Sequence, residues 1–180
     1  MARTPVFDFD GTLVDSDAAL LAPFAALGVP PERIPPLGLP AKAAAEMAGV
    51  SLDDYLAAYD PSTSQPFDGV GALLAALPRW GLCSNKARVS GIDELARHGW
   101  TPTVARFSED FDGRPKELGP VLAALDLAPV DAVYVGDTDH DRTTARVAGV
   151  TFALAGWNPR AAAEAGDLVL ASPRDLLDLL

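Results

Sequence analysis

The sequence predicts an α/β fold: a three-layer core with a parallel sheet between helices, and a small α-helical cap inserted near its beginning. Three observations carry the prediction. Short runs rich in β-branched and aromatic residues alternate with longer Ala/Leu-rich runs of helical spacing, which is the pattern of a parallel sheet covered on both faces. The alternation lapses once, from about Asp17 to Gln65, where helical patches and proline-rich breaks follow one another without a convincing strand. Finally, three strand-like runs end in acidic or small polar residues, which in a parallel sheet meet at one edge.

Pro5–Phe9 reads as the first strand. The lapse that follows contains helices at Ala18–Leu27, Ala41–Ala48 and Leu52–Tyr59, separated by loops at Pro30–Pro40 and Pro61–Pro66, where proline cannot donate to a helix or ladder. Two units result, a core of 1–16 with 66–180 and a cap of 17–65. Patterning alone allows the same helices to belong to one core. Beyond them, strands at Trp80–Cys83, Thr103–Phe107, Ala132–Val135, Thr151–Leu154 and Leu168–Leu170 alternate with helices at Gly69–Leu77, Gly91–His98, Glu117–Leu125, Asp139–Ala148 and Pro159–Ala165, and Pro173–Leu180 closes the chain.

With 180 residues, 49% of them hydrophobic, the chain can bury a substantial core. A net charge of −11 argues against nucleic-acid and anionic-membrane partners, both of which would repel it. An anionic substrate would need its own patch of positive charge. One cysteine, Cys83, cannot form an internal disulfide, and the first apolar run leads into a polar loop by Asp10 with no room for a signal peptide; both point to a cytoplasmic, soluble protein.

The chemistry lies at the strand ends. Val6-Phe7-Asp8 runs on to Asp10-Gly11-Thr12, Leu82-Cys83 to Ser84-Asn85, and Val133-Tyr134-Val135 to Gly136-Asp137. The segment Asp8-Phe9-Asp10-Gly11-Thr12-Leu13-Val14-Asp15-Ser16 resembles the opening motif of the haloacid dehalogenase superfamily of phosphatases. Ser84, Lys116 and Gly136-Asp137-Thr138-Asp139-His140-Asp141 resemble its three later motifs, in order. The lid between first and second motifs is similar to that of phosphoglycolate-phosphatase-type members, though shorter.

The resemblance implies a Rossmann-like core and a Mg²⁺-dependent phosphatase acting on a small phosphorylated metabolite through an aspartyl-phosphate. Asp8 would attack phosphorus, and Asp10 would protonate the leaving oxygen and later activate water, since a carboxylate nucleophile splits one hard displacement into two easier ones and an alkoxide needs a proton to depart. Gly11, Thr12, Ser84 and Asn85 would hold phosphoryl oxygens, and Lys116 would neutralise the charge shared with Asp8. Asp8, Asp137 and the Asp10 main-chain carbonyl would bind the metal, with Asp141 behind them orienting Lys116 or a water. The family pattern is Lys-Pro where this chain has Arg114-Pro115-Lys116, so Arg114 competes with Lys116 for the cation's role. Crowding of these acids is expected to surround Asp10 with negative charge. His140 reads as a solvent-facing loop residue, Asp139 as a solvated helix-start residue, Trp157-Asn158 as packing or pocket lining, and Arg33 and Lys42 as cap cations that are either solvent-exposed or in reach of substrate.

A phosphomutase on this chemistry would have to exclude water under a short cap. A binding or regulatory protein would not need both Asp8 and Asp10, and a dehalogenase would need neither Asp10 nor a metal ligand at Asp137. The oligomeric state is expected to be a monomer or homodimer.

Overall fold

The computed structural model describes residues 3–180. In chain order the elements are β1 (Thr4–Phe7), β2 (Val14–Asp15), α1 (Asp17–Ala26), α2 (Ala41–Ala48), α3 (Leu52–Ala58), β3 (Gln65–Pro66), α4 (Val70–Ala76), β4 (Gly81–Cys83), α5 (Arg88–His98), β5 (Val104–Arg106), α6 (Gly119–Ala124), β6 (Ala132–Gly136), α7 (Asp139–Ala148), β7 (Thr151–Ala155) and β8 (Leu168–Leu170). Six strands form one sheet in the order β5-β4-β1-β6-β7-β8, every neighbouring pair parallel.

Alternation along the strands sends successive side chains to opposite faces and so builds two cores. Phe7, Leu82, Val133 and Val135 pack on one face with Leu73 and Leu74 of α4 and Leu95 of α5. Val6, Cys83, Ala132 and Tyr134 pack on the other with Val121 and Leu122 of α6 and Ala145 of α7. The expected three-layer α/β core is therefore present. Helices α1 to α3 bury a separate cluster, in which Phe24, Val29, Ala45, Ala48 and Tyr55 meet and the Phe24 and Tyr55 rings lie 4.9 Å apart.

Four expectations need correction. The region around 17–65 was expected to lack strands, yet Gln65–Pro66 pairs antiparallel with Val14–Asp15, and the Phe67 amide donates to the Leu13 carbonyl at 3.1 Å. Two residues cannot show a period of two, so this ribbon, which brings the inserted segment's entry and exit together, leaves no sequence signal. Pro159–Ala165 forms turns and coil where a helix was expected. The Asn158 Oδ1 accepts the Arg160 amide, a local turn that competes with a helix start.

Helix α5 begins at Arg88, not Gly91. Gly91 is buried inside the helix because a Cβ there would collide with the Phe107 ring, so the glycine marks close packing and not a helix start. Glu117–Leu125 shortens to Gly119–Ala124, with Pro120 in the first turn, where its missing N–H costs nothing; the final Pro173–Leu179 segment is a 3₁₀-helix. Among the described residues no helix is long and apolar enough to cross a membrane.

Candidate active site

The chain leaves β1 for β4 and β5 on one side of the sheet and returns to β6, β7 and β8 on the other. The crevice above the adjacent carboxyl ends of β1 and β6 is the switch point at which such sheets bind ligands. Asp8 follows β1 directly, its amide donating to the Val135 carbonyl at 2.9 Å, and Asp137 follows β6. Gly11 lies between them with φ +76°, where any Cβ would run into the Asp137 carboxylate. Only glycine lets the loop after β1 close onto the end of β6.

Asp8 is buried, with Oδ2 2.9 Å from the Lys116 ammonium; its Oδ1 is buried with no hydrogen-bond partner. Lys116 also lies 2.6 Å from Asp141 Oδ1. Asp141 is itself fully enclosed: Oδ2 accepts from the Thr138 amide and hydroxyl at the start of α7, and the Tyr134 hydroxyl lies 3.0 Å from Oδ1. This capping arrangement fixes Asp141 on its helix and, through it, fixes Lys116. The neighbouring Arg114 is exposed and sits 3.5 Å from Glu117, so Lys116 is the cation that the fold brings to Asp8.

Burial raises the Asp8 carboxyl to about 7, with Lys116 opposing and Asp141 adding to the rise. Burial likewise raises Asp137 to about 7, helped by Asp8 and Asp141. Asp141 is held below the ordinary carboxylate range: burial pushes upward, and Lys116 with the Thr138 donors outweighs it. One carboxylate oxygen from each of Asp8, Asp137 and Asp141 falls within 4.8 Å of the others. With Asp141 ion-paired to Lys116 and Asp8 Oδ1 without a donor, the all-oxygen set suits a hard divalent cation centred on Asp8 and Asp137.

The loop 8–12 is clamped by the turn that follows β7. Asn158 Nδ2 donates to the Gly11 carbonyl at 2.8 Å and to Asp137 Oδ2 at 3.0 Å, and Trp157 Nε1 donates to the Thr12 carbonyl at 2.9 Å. The Thr12 hydroxyl donates to Asp137 Oδ1 at 3.1 Å, so a buried acid takes up the hydroxyl that sequence reasoning assigned to a phosphoryl oxygen. Ser84, buried at the end of β4, accepts the Lys86 amide at 3.2 Å. Asn85 turns its amide nitrogen to the Gly38 carbonyl of the inserted segment at 2.9 Å.

Asp10 is not surrounded by acids, as crowding suggested. Its Oδ1 lies 2.8 Å from the Lys86 ammonium, which also meets Glu94 Oε1 at 2.8 Å and the Tyr59 hydroxyl at 2.9 Å; Tyr59 in turn donates to Glu94 Oε1 at 2.8 Å. Burial alone would depress Lys86, yet Asp10 and Glu94 outweigh it and hold the ammonium above the ordinary lysine range. Sequence reasoning missed Lys86, Glu94 and Tyr59. The one local signal was a lysine directly after Ser84-Asn85 at the end of a buried strand. His140 is half-buried with Nε2 enclosed, and burial lowers its pKa, so it is not the solvent-facing residue expected. Arg33 donates to the Ala48 carbonyl at 2.9 Å, and Lys42 and Asp139 are exposed.

A model of the haloacid dehalogenase-like hydrolase family matches residues 6–155, from β1 through β7. The chain belongs to this family. Within the family it is similar to a phosphoglycolate phosphatase of Xylella fastidiosa, 33% identical over 88% of this chain and 82% of that protein. It is also similar to the N-acetylmuramic acid 6-phosphate phosphatase of Pseudomonas aeruginosa, 29% identical over 99% of this chain and 94% of that one. Among solved structures, a HAD-superfamily hydrolase of subfamily IA from Geobacter sulfurreducens shares the fold with a TM-score of 0.69 and 21% identity over the full length of both chains.

Proposed function

We propose that this hydrolase is a Mg²⁺-dependent phosphatase that cleaves a small phosphorylated metabolite, a phosphomonoester, through an aspartyl-phosphate on Asp8. The observation that carries this reading is the Asp8 carboxylate itself, held by one oxygen on Lys116 with the other buried and unpartnered at the crevice. A nucleophile fixed in this way meets a bound phosphoryl group without further ordering.

In the first step the Asp8 carboxylate forms a bond to phosphorus as the ester oxygen leaves. Asp10, held through Oδ1 by Lys86, gives that oxygen a proton from its other oxygen. In the second step Asp10 takes a proton from a water that attacks the same phosphorus; inorganic phosphate departs and the Asp8 carboxylate is restored. Lys116 offsets the negative charge that Asp8 and the phosphoryl oxygens share, with Asp141 holding it in place. The Ser84 hydroxyl and the second amide hydrogen of Asn85 meet the phosphoryl oxygens, Gly11 keeps the backbone close to them, and Thr12, with its hydroxyl on Asp137 and its amide on the Phe9 carbonyl, holds the shape of the loop around them. Asp8, Asp137 and the Asp10 main-chain carbonyl would hold Mg²⁺, which when bound supplies positive charge to the phosphoryl group.

On this reading, segment 17–65 is a cap over a core of 1–16 and 66–180, and the protein works in the cytoplasm as a monomer or homodimer, with Cys83 reduced and buried. The test is phosphate release from a simple aryl phosphate with and without Mg²⁺. Wild type should turn over only with the ion, Asp8→Asn should fall to background, and Asp10→Asn should lose about 10²- to 10⁴-fold. Undiminished activity of Asp8→Asn would overturn the proposal.

A further inference from the structure

Beside Asp8 a cleft opens between the cap and the sheet, with its mouth at the solvent. Phe24, Pro36, Leu37, Leu39, Tyr55 and Leu56 form its cap side. Among the residues that line it, only Asp8, Asp10 and Lys86 carry charge. Lys86 is 2% exposed and already meets Asp10, Glu94 and the Tyr59 hydroxyl.

The polar groups that remain carry no charge. The Tyr55 hydroxyl donates to the Leu20 carbonyl and the Tyr59 hydroxyl to Glu94. Asn85 places one amide hydrogen on Gly38 and has the other for the phosphoryl site, its Oδ1 is an acceptor, and Ser90 adds a neutral hydroxyl. The cap's two basic residues are elsewhere, Arg33 on the Ala48 carbonyl and Lys42 exposed outside the lining. A second cleft on the Asp137 side has one cation, Arg160, which is ion-paired with Asp17, and it shares its walls with Asp10 and Asp137. Neither space offers an unspent positive charge beyond the phosphoryl site.

We infer that the leaving alcohol of this enzyme's substrate is uncharged and has a hydrocarbon face, a ring or branched chain that lies against the cap side of the cleft, and that esters whose alcohol carries a carboxylate are poor substrates. The inference rests on the phosphatase reading above and adds the substrate's chemical class. It separates this chain from relatives whose names specify phosphoglycolate, an ester that carries a carboxylate. A carboxylate in this cleft would lose hydration without gaining a cation to offset its charge, whereas a hydrocarbon face gains by burial against Phe24 and Leu37.

The test compares kcat/KM for benzyl phosphate and 4-carboxybenzyl phosphate, which share a leaving group of similar basicity, and for phosphoglycolate, all with Mg²⁺. Benzyl phosphate should exceed both carboxylates by about tenfold or more, a factor that corresponds to about 1.4 kcal/mol of discrimination. Leu39 is partly exposed at the cleft, so Leu39→Arg can place a guanidinium there without burying it, and this variant should narrow or reverse the preference. Calorimetric binding of the non-hydrolysable benzylphosphonate and its 4-carboxy analogue to wild type gives the same comparison independently of any variant. Phosphatase activity with equal or better turnover of the carboxylates would overturn the substrate assignment and leave the phosphatase reading standing. Absence of turnover of all three esters and of simple aryl phosphates would overturn both.

Discussion

Magnesium should stabilise this protein in proportion to the ionisation of two buried carboxyls. Without an ion, Asp8 and Asp137 are each raised from 3.8 to about 7, first by burial. An acid raised in the folded state keeps its proton longer there than in the unfolded chain. Between about pH 4 and 7 the native state therefore binds more protons, and stability falls as pH climbs through that window and levels off above it. Three units correspond to a ceiling of about 4 kcal/mol per carboxyl, and because each acid raises the other, the pair amounts to less than twice that. Asp141 is shifted the other way and titrates below this window, so its contribution does not mask the effect.

A divalent ion favours both ionised forms and competes with the two protons. Its stabilisation should be small near pH 5 and greatest above about pH 7. At a hundred times its dissociation constant, bound ion adds about 2.7 kcal/mol, which for a chain of this size is a Tm rise of roughly 5–10 °C. Circular-dichroism melts with and without Mg²⁺ across this pH range measure it directly. Asp137→Asn, which removes one repelling charge, should melt higher than wild type without ion above about pH 7 and lose most of the Mg²⁺ response. An equal Mg²⁺ shift at acid and alkaline pH, or an ion-free Asp137→Asn less stable than wild type above about pH 7, would refute the reasoning.

Three further outcomes follow from the geometry. Lys86→Met leaves Asp10 and Glu94 without their cation, so it should cost about 3–5 kcal/mol and lower Tm by on the order of 10 °C in thermal melts. Gly11→Ala must adopt φ +76° and push aside the Asp137 carboxylate; it should lose phosphatase activity, read as phosphate release, far more than the roughly 1–2 kcal/mol of stability its backbone strain costs. Asn158→Ala frees the Gly11 carbonyl and Asp137 Oδ2 from their shared donor, and should weaken Mg²⁺ affinity by about 10- to 100-fold when titrated calorimetrically.

The parts of the site legible in the sequence are those that sit where an apolar strand stops. Asp8 and Asp137 each follow a run of buried residues, and a parallel sheet brings such ends together without further information. Asp141 was legible through the segment Gly136–Asp141 that resembles the family's last motif, and the fold shows it to be part of the cap that Thr138 forms at the start of α7. Choosing Lys116 over Arg114 required the fold, since nothing local says which of two nearby cations is buried. The cluster of Lys86 with Tyr59 and Glu94 joins the inserted segment, a strand end and a helix, and no local pattern encodes a contact made across three elements. The ribbon of β2 and β3 was too short to show a period. At 159–165 helix propensity lost to Asn158, a side chain whose amide is spent on Gly11 and Asp137.

The claim on which the mechanism turns is that phosphorus bonds transiently to Asp8, and chemical trapping tests it most directly. Enzyme mixed with Mg²⁺ and a turned-over aryl phosphate, quenched in the first turnover and reduced with borohydride, is digested and mapped by mass spectrometry. Conversion of residue 8 to homoserine in the wild type, absent when substrate is omitted, is the expected result. Reduction at another carboxyl, or none at Asp8 while phosphate is released at the full rate, would contradict the account.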